Sequence, residues 1–140
     1  GKTNAEVEKL KNELEVFLLI GEYLEEKEKE KDNANKLNSI QVPSDIYSNS
    51  SKILNKIKEW EFSFCIALLL LKSGFAVSRK EWCNGLRVNA VLKMQNPDKN
   101  SKMTKPYLYM EKRFLGETDI FPFTIDYESV LANDWFLVEE

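Results

Sequence analysis

The chain has 140 residues, of which 43% are apolar and 31% are charged, with a net charge of −3 and no histidine. This length supports one buried core with a short appendage. The negative charge argues against a surface for nucleic-acid polymers, which are held by clustered Lys and Arg, and the apolar run at 64–71 is far shorter than the roughly 20 residues that cross a bilayer.

The two cysteines, Cys65 and Cys83, have neither the number nor the spacing of a zinc site, and no histidine is present to complete one. We therefore expect free thiols, no metal and no cofactor. The lysine- and glutamate-rich start shows no signal-peptide pattern. We expect a cytoplasmic protein that does not associate with a membrane.

Residues 1–58 are predicted to form an N-terminal helical arm and a linker. Thr3 and Glu6 have the spacing of a capping box, which marks a helix start. A stripe of side chains then recurs at intervals of three and four residues, and this spacing predicts a helix that buries the stripe and continues through the charged run at 25–31. The stripe consists of Val7, Leu10, Leu14, Phe17, Gly21 and Leu24.

The segment 32–51 is rich in Asn and Ser and contains Pro43, which indicates a linker. Ser50 or Ser51 is placed to cap a second helix that would form a hairpin with the first. This helix would carry Ile53, Leu54, Ile57 and Trp60. Two roles remain open for the arm, a packing element and an oligomerisation element.

Residues 59–140 are predicted to form an α+β domain, with one helix packed on a small antiparallel sheet. Ser63 and Ser73-Gly74 bound an apolar helix over 64–72. Alternating and β-branched or aromatic residues predict strands at 75–79, 86–94, 106–111, 120–124 and 134–138, with a helical turn at 129–131. Gly85 is expected to form the turn between the first two strands.

Two tryptophan-centred clusters, at 79–85 and 132–135, place a flat ring beside polar side chains, as a pocket for a polar ring-containing molecule requires. Arg79 suits a phosphate, or else pairs with Glu81 or another acid. Trp82 either stacks on a base or covers the end of the core, whereas Trp135 is expected in the core.

Other polar residues of these segments also have two possible roles. Asn84 contacts a ligand or only forms the turn with Gly85. Asp134 accepts hydrogen bonds from ribose hydroxyls or caps the backbone at the start of a strand. Tyr107, Phe123 and Thr124 contact a ligand or pack in the sheet.

The order of these residues resembles the Thoeris anti-defence two-like family over about residues 60–140. The resemblance is carried by Phe62-Ser63, Arg79, Trp82, Asn84-Gly85, Pro106-Tyr107, Pro122-Phe123-Thr124 and Leu131-Ala132-Asn133-Asp134-Trp135. The chain departs from the family pattern by having Glu81 for Gly, Cys83 as an inserted residue, Phe123 for Trp and Ser129 for Asp.

The resemblance implies a phage-encoded sponge that is a homo-oligomer and holds a small-molecule cyclic nucleotide signal without transforming it. The expected signal is a cyclic ADP-ribose isomer such as gcADPR, with cyclic dinucleotides as a second class. The expected ligand-binding residues are Arg79, Trp82, Asn84, Tyr107, Phe123, Thr124 and Asp134.

Two other functions compete with the sponge. An enzyme is not expected, because without histidine acid–base chemistry would fall to carboxylates, and Cys83 would need Arg79 or Lys80 to lower its pKa. The alternative is a protein-interaction adaptor that binds a partner helix through the N-terminal helices.

Overall fold

The computed structural model of the chain describes residues 3–37 and 48–139. The chain divides into two compact units, Gly1–Trp60 and Glu61–Glu140. The class is α+β, as predicted, with helices and an antiparallel sheet. In the described part of the chain, no helix combines the length and the apolar character needed to cross a membrane.

Helix α1 of the first unit spans Asn4–Leu37 and begins at the predicted capping box. The Glu6 amide donates to Thr3 Oγ1 at 3.2 Å, and the Thr3 amide donates to Glu6 Oε2 at 3.3 Å. The helix extends to Leu37, which is beyond the predicted start of the linker at Asp32. The rest of the predicted linker, including Pro43, lies in 38–47, outside the described residues.

Helix α2 spans Asn49–Ile57 and lies against α1, which confirms the predicted helical hairpin. Its N-cap is Ser48, whose Oγ accepts from the Ser51 amide at 3.2 Å, so the predicted caps at Ser50 and Ser51 were wrong. Ser50 is instead fully buried and its hydroxyl donates to Glu30 of α1 at 2.8 Å. The helix ends before Trp60.

The stripe of α1 that was predicted to be buried is not covered within the single chain. Val7, Leu10, Leu14, Phe17 and Leu24 are all exposed, whereas Val16 and Ile20 are buried. At 3.6 residues per turn, Val16 points away from the stripe, whereas Ile20 lies at its edge, about 40° from Leu24. Sequence spacing identified an apolar face but not which of two apolar faces is covered.

The second unit begins with helix α3, Phe64–Lys72, at the predicted bounds. The Ser63 carbonyl accepts from the amides of Ile66 and Ala67. Ser73 and Gly74 end the helix, and Gly74 has a φ of 95°, a conformation that glycine adopts without a Cβ clash. The helix contacts three strands of the sheet and buries Ile66, Ala67, Leu70 and Leu71.

The main sheet has five strands, β1 Ala76–Arg79, β4 Ala90–Gln95, β5 Tyr107–Phe114, β6 Glu117–Pro122 and β7 Trp135–Val138. The sheet is antiparallel, and its strands lie in the order β6-β5-β4-β1-β7. Val77 lies opposite Leu92 on one side and Leu137 on the other, and Leu92 lies opposite Met110. This row of buried side chains forms the centre of the core.

The predicted strand over 86–94 and its turn at Gly85 need correction. A 3₁₀ turn, Lys80–Trp82, follows β1, and then β2 Cys83–Asn84 and β3 Arg87–Val88 form a separate two-stranded ribbon. Gly85, with a φ of 62°, turns this ribbon rather than joining strands of the main sheet. The main sheet resumes at β4, so the connection carries Trp82 past the end of β1.

The β5–β6 hairpin turns at Leu115 and Gly116, which both have positive φ, at 49° and 81°. This is the pattern of a type I′ turn, whose twist matches that of paired strands. β6 therefore starts and ends earlier than the predicted strand at 120–124. The predicted helical turn at 129–131 is the end of helix α4, Tyr127–Leu131, which is capped by the Asp126 side chain.

Candidate ligand-binding site

Arg79, the last residue of β1, is the centre of a hydrogen-bonded cluster at one end of the sheet. Its Nε donates to Asp134 Oδ1 at 2.9 Å, its Nη2 lies 2.7 Å from Glu81 Oε2, and its Nη1 donates to Ser129 Oγ at 3.3 Å. Only 8% of the residue is exposed. The ion pair with an acid is therefore present, and any anionic ligand of Arg79 has to share or replace these partners.

The position of Asp134 explains how the cluster is held. Its Oδ2 accepts from the Glu81 amide at 3.1 Å, and its carbonyl accepts from the Lys80 amide, also at 3.1 Å. Asp134 thus fixes both the guanidinium and the 3₁₀ turn that follows β1. Asp134 does bind a backbone amide, but that amide belongs to the 3₁₀ turn and not to the start of β7, where the cap was predicted.

The environment of Arg79 favours the protonated form of its guanidinium. Burial lowers the pKa of the Arg79 guanidinium, but the hydrogen bond and the charge of Asp134, together with Glu81, outweigh burial, so the pKa lies above its ordinary value. Arg79 is therefore a cation at neutral pH.

Trp82 lies beside Arg79 and between Trp135 and Phe123 in a row of aromatic rings. Its ring centre lies 5.1 Å from Trp135 and 6.0 Å from Phe123, both edge-to-face, and the Arg79 guanidinium carbon lies 5.9 Å from it. Trp135 is fully buried, as predicted for a core residue, and contacts Phe64 of α3. Trp82 is half-buried, so part of its ring remains open to solvent.

A recess of about 340 Å³ lies against this cluster. This volume is at the lower end of the range for small-molecule sites, roughly 300–1,000 Å³. The recess is lined by Arg79, Glu81, Trp82, Met110, Phe123, Asp126, Glu128 and Ser129. It therefore combines two aromatic rings and a buried cation with several carboxylates.

A second recess of about 310 Å³ shares Trp82, Glu81 and Met110 with the first. It is lined in addition by Cys83, Asn89, Ala90 and Lys112. Trp82 thus forms a wall between two adjoining recesses, one with more carboxylates and one with a lysine.

The structure brings three of the predicted site residues to the first recess, namely Arg79, Trp82 and Phe123. Asp134 touches the site only through Arg79 and Glu81. Asn84 is exposed on the β2–β3 ribbon and Thr124 is exposed after β6, and neither lines these two recesses.

Tyr107 lies elsewhere in the sheet. It lines a separate recess of about 400 Å³ with Tyr109 and Glu111. Side chains alternate between the faces of a strand, so Tyr107 and Tyr109 lie on the face opposite Met110, which lines the recesses at Trp82. The structure does not bring Tyr107 to Arg79.

Ser129 and Glu128 are site residues that the sequence reasoning missed. Ser129 uses three groups: its amide donates to Asp126 Oδ1 at 3.2 Å, its hydroxyl accepts from Arg79, and its carbonyl accepts from the Trp135 indole at 2.8 Å. The sequence signal was available, because Asp126 and Ser129 have the spacing of a helix cap. That signal places α4 but does not reveal its contact with Arg79.

Cys83 is not an activated thiol. Burial raises the pKa of the Cys83 thiol, the charge of Lys80 lowers it in part, and the charge of Asp134 raises it further. The thiol lies 3.5 Å from the Arg79 carbonyl, to which it donates. Lys80 does lower the pKa of this thiol, but burial and the charge of Asp134 outweigh that effect.

The fold and this site define a small helix-on-sheet domain with an aromatic recess around a buried arginine. The chain belongs to the Thoeris anti-defense 2-like family, whose model matches residues 62–138. The family resemblance noted in the sequence is thereby confirmed. Membership of this family assigns the protein a Thoeris anti-defence role. No curated protein matches the chain.

Proposed function

We propose that this protein acts as a non-catalytic sponge that sequesters a cyclic nucleotide-derived signal, with a cyclic ADP-ribose isomer such as gcADPR as the first candidate and cyclic dinucleotides as the second. The observation that carries the proposal is the placement of Trp82 and Phe123 beside the Arg79 guanidinium in one recess. Such a ligand combines bases, riboses and phosphates, and therefore needs rings to contact, hydrogen-bond acceptors and cations.

Trp82 supplies the surface for a base. Its contacts with Trp135 and Phe123 are both edge-to-face and hold the ring in a fixed orientation without covering it fully. Stacking of a base on an aromatic side chain contributes about 1 to 3 kcal/mol. A preoriented ring loses little conformational entropy when the ligand binds.

The carboxylates in the first recess suit the base better than the phosphates. Asp126, Glu128 and Glu81 supply acceptors for the amino and ring N–H groups of a purine. The phosphates would be repelled there and are better placed toward Lys112 in the adjoining recess and toward the outer edge of Arg79. The ligand would thus span the two recesses across Trp82.

Arg79 can reach a phosphate if the Glu81 carboxylate leaves Nη2. The Glu81 side chain is 63% exposed, whereas Asp134, on Nε, is 27% exposed. Because the Glu81 end of this pair is exposed to solvent, exchanging Glu81 for a phosphate costs less than breaking a fully buried pair. Asp134 and Ser129 would meanwhile keep the guanidinium in place.

Sequestration without chemistry agrees with the states of the groups that would otherwise react. The Cys83 thiol has a raised pKa and donates to a backbone carbonyl, and the Asp126 carboxylate is engaged in capping α4. Three of the residues at which the chain departs from the family pattern, Glu81, Phe123 and Ser129, line the same recess. We infer that this chain has its own ligand preference within the nucleotide class.

The setting that follows from this proposal is the cytoplasm of a host cell, where a phage-encoded homo-oligomer would deplete the signal before its effector responds. The rival adaptor function has one supporting observation, the exposed apolar stripe on α1. An adaptor would need no ligand in the recess at Trp82.

The test is uptake and recovery. The purified protein is incubated with gcADPR or with cyclic dinucleotides, and unbound ligand is removed. The protein is then heat-denatured, and the released material is identified by mass spectrometry. We expect the wild-type protein to release intact ligand. We expect Trp82→Leu to take up no ligand and therefore to release none. Altered ligand would indicate an enzyme, and no uptake of any member of the class would overturn the proposal.

Two further variants test the role of Arg79. Glu81→Gln weakens the competitor for Nη2 and is expected to tighten binding up to about fivefold, the equivalent of roughly 1 kcal/mol. Glu128→Gln removes the same charge from the same recess and serves as the matched control for general repulsion. Equal effects of the two changes would show that phosphate does not reach Arg79.

A further inference from the structure

The exposed stripe on α1 has the spacing of a coiled-coil seam. Its members recur at alternating intervals of three and four residues, with Gly21 at one of the positions. The apolar members of the stripe are 38–58% exposed and include Val7, Leu10, Leu14, Phe17 and Leu24. Leu18, beside the stripe, is 57% exposed and widens it.

The part of the helix that its own unit covers is centred on Val16 and Glu30 and reaches the edge of the stripe at Ile20. Ser50 of α2 donates to Glu30, and Val16 and Ile20 are buried. Leu14 and Val16 point about 160° apart at 3.6 residues per turn, so covering one leaves the other open. An amphipathic helix needs only one apolar face to join its own domain, and the second face therefore calls for another partner.

The spacing specifies the kind of partner. A strict seven-residue repeat of apolar side chains is satisfied by another helix with the same repeat, because knobs from each helix then enter holes of the other along the whole seam. A second copy of this chain carries such a helix by identity. In an in-register pair, the bulk of Phe17 from each copy would lie next to the space left by Gly21.

The charges beside the seam fit a parallel pair. The positions that flank the seam are Glu6, Glu13, Ile20 and Lys27 on one edge and Lys11, Leu18, Glu25 and Asp32 on the other. Glu6, Lys11, Lys27 and Asp32 are exposed, whereas Ile20 is buried and, like Leu18, carries no charge. In a parallel, in-register pair, Glu6 faces Lys11 of the second copy and Lys27 faces Asp32 of the second copy. Opposite charges thus meet near both ends of the seam, as they do in specific coiled coils.

We propose that α1 forms a parallel coiled coil with α1 of a second copy through Val7, Leu10, Leu14, Phe17, Gly21 and Leu24. The pairing needs no ligand and uses none of the residues around Arg79, so it stands or falls separately from the sponge function. It gives the α1 stripe a self-association role rather than an adaptor role.

The first test measures assembly of the full chain by sedimentation velocity over a range of concentrations. Leu14→Glu places a charge on the seam and is expected to raise the dissociation constant at least tenfold. Leu86→Glu, the same change at a fully exposed leucine of the β2–β3 ribbon, is the matched control and should leave assembly unchanged. Far-UV circular dichroism confirms that both variants keep their helices.

A wild-type protein that stays monomeric, or a Leu14→Glu variant that assembles like the wild type, would overturn the proposal. If the sheet domain supplies another interface, Leu14→Glu should yield a smaller oligomer that has lost only the α1 contact. That result would also support the proposal. Retention of a different protein on the stripe, with no self-association, would favour the adaptor instead.

The second test reports the orientation of the helices. In a Cys65→Ser, Cys83→Ser background, Val7→Cys is expected to form a disulfide-linked dimer on mild oxidation, because each Val7 faces its counterpart in a parallel pair. Glu8→Cys points away from the seam and is the control. An associating protein in which Val7→Cys does not cross-link above the Glu8→Cys level would exclude the parallel arrangement.

Discussion

Replacement of Asp134 by alanine tests whether the site is organised as the structure indicates. Asp134 accepts hydrogen bonds from Arg79 Nε at 2.9 Å and from the Glu81 amide at 3.1 Å. The Arg79 side chain is only 9% exposed, so water cannot replace Asp134 as its hydrogen-bond partner unless the side chain moves. Asp134→Ala therefore leaves a nearly buried cation with fewer acceptors.

The size of the effect follows from burial. Removing one partner of a buried ion pair costs about 3 to 5 kcal/mol, and a hydrogen bond to a charged group contributes about 1.5 to 3 kcal/mol. Both of these energies are upper limits for Asp134, because its side chain is 27% exposed and Glu81 still pairs with Arg79 Nη2 in the variant. We expect Asp134→Ala to lower the free energy of unfolding by about 2 kcal/mol, against about 0 to 1 kcal/mol for a surface pair.

The assay is urea unfolding of the wild type, Asp134→Ala, Arg79→Met and the double variant. The double-mutant cycle isolates the interaction between the two side chains. We expect a coupling energy of about 1.5 kcal/mol, and a smaller effect for Glu81→Ala because that side chain is 63% exposed. A coupling energy below about 0.5 kcal/mol would refute the view that Asp134 holds Arg79 in place.

Three further predictions concern single features of the second unit. Trp82→Leu removes two edge-to-face contacts and is expected to lower the free energy of unfolding by about 1 to 3 kcal/mol in the same assay. Gly116→Ala forces a side chain into a φ of 81° and should cost about 1 kcal/mol, whereas an unchanged midpoint would show that the turn relaxes. The pKa of Asp126 is lowered, first by the Ser129 hydrogen bond, so its stabilisation of α4 is present above the ordinary carboxyl pKa and is lost as pH falls through the lowered one. Asp126→Asn should remove that part of the acid dependence in thermal melts, and an unchanged pH profile would contradict this role.

Elements bounded by local signals were predictable. The reciprocal contacts of Thr3 and Glu6 depend on residues three positions apart, and α3 ends where Ser73 and Gly74 stand. These two signals act through a single turn of backbone and need no partner from elsewhere in the chain. The same reasoning placed β5 and β7 to within three residues at each end.

The connection between β1 and β4 was not predictable in this way. Residues 80–88 contain a 3₁₀ turn and a two-stranded ribbon, whereas their composition suggested the turn and start of a strand. The conformation depends on Asp134, which accepts from the Glu81 amide across 53 positions of sequence. No local pattern of residues could indicate that contact.

The sequence alone determined the family, the α+β class, the start of α1 and the bounds of α3. It also singled out Arg79 and Trp82, whose side chains are neighbours in the structure. Only the tertiary structure decided that Arg79 is held by Asp134 and Ser129, that Tyr107 lies on the other face of the sheet, and that the stripe of α1 is exposed. The reason is physical: caps and turns are determined by neighbours along the chain. The partners of a buried charge and the choice between two apolar faces depend instead on residues that only folding brings together.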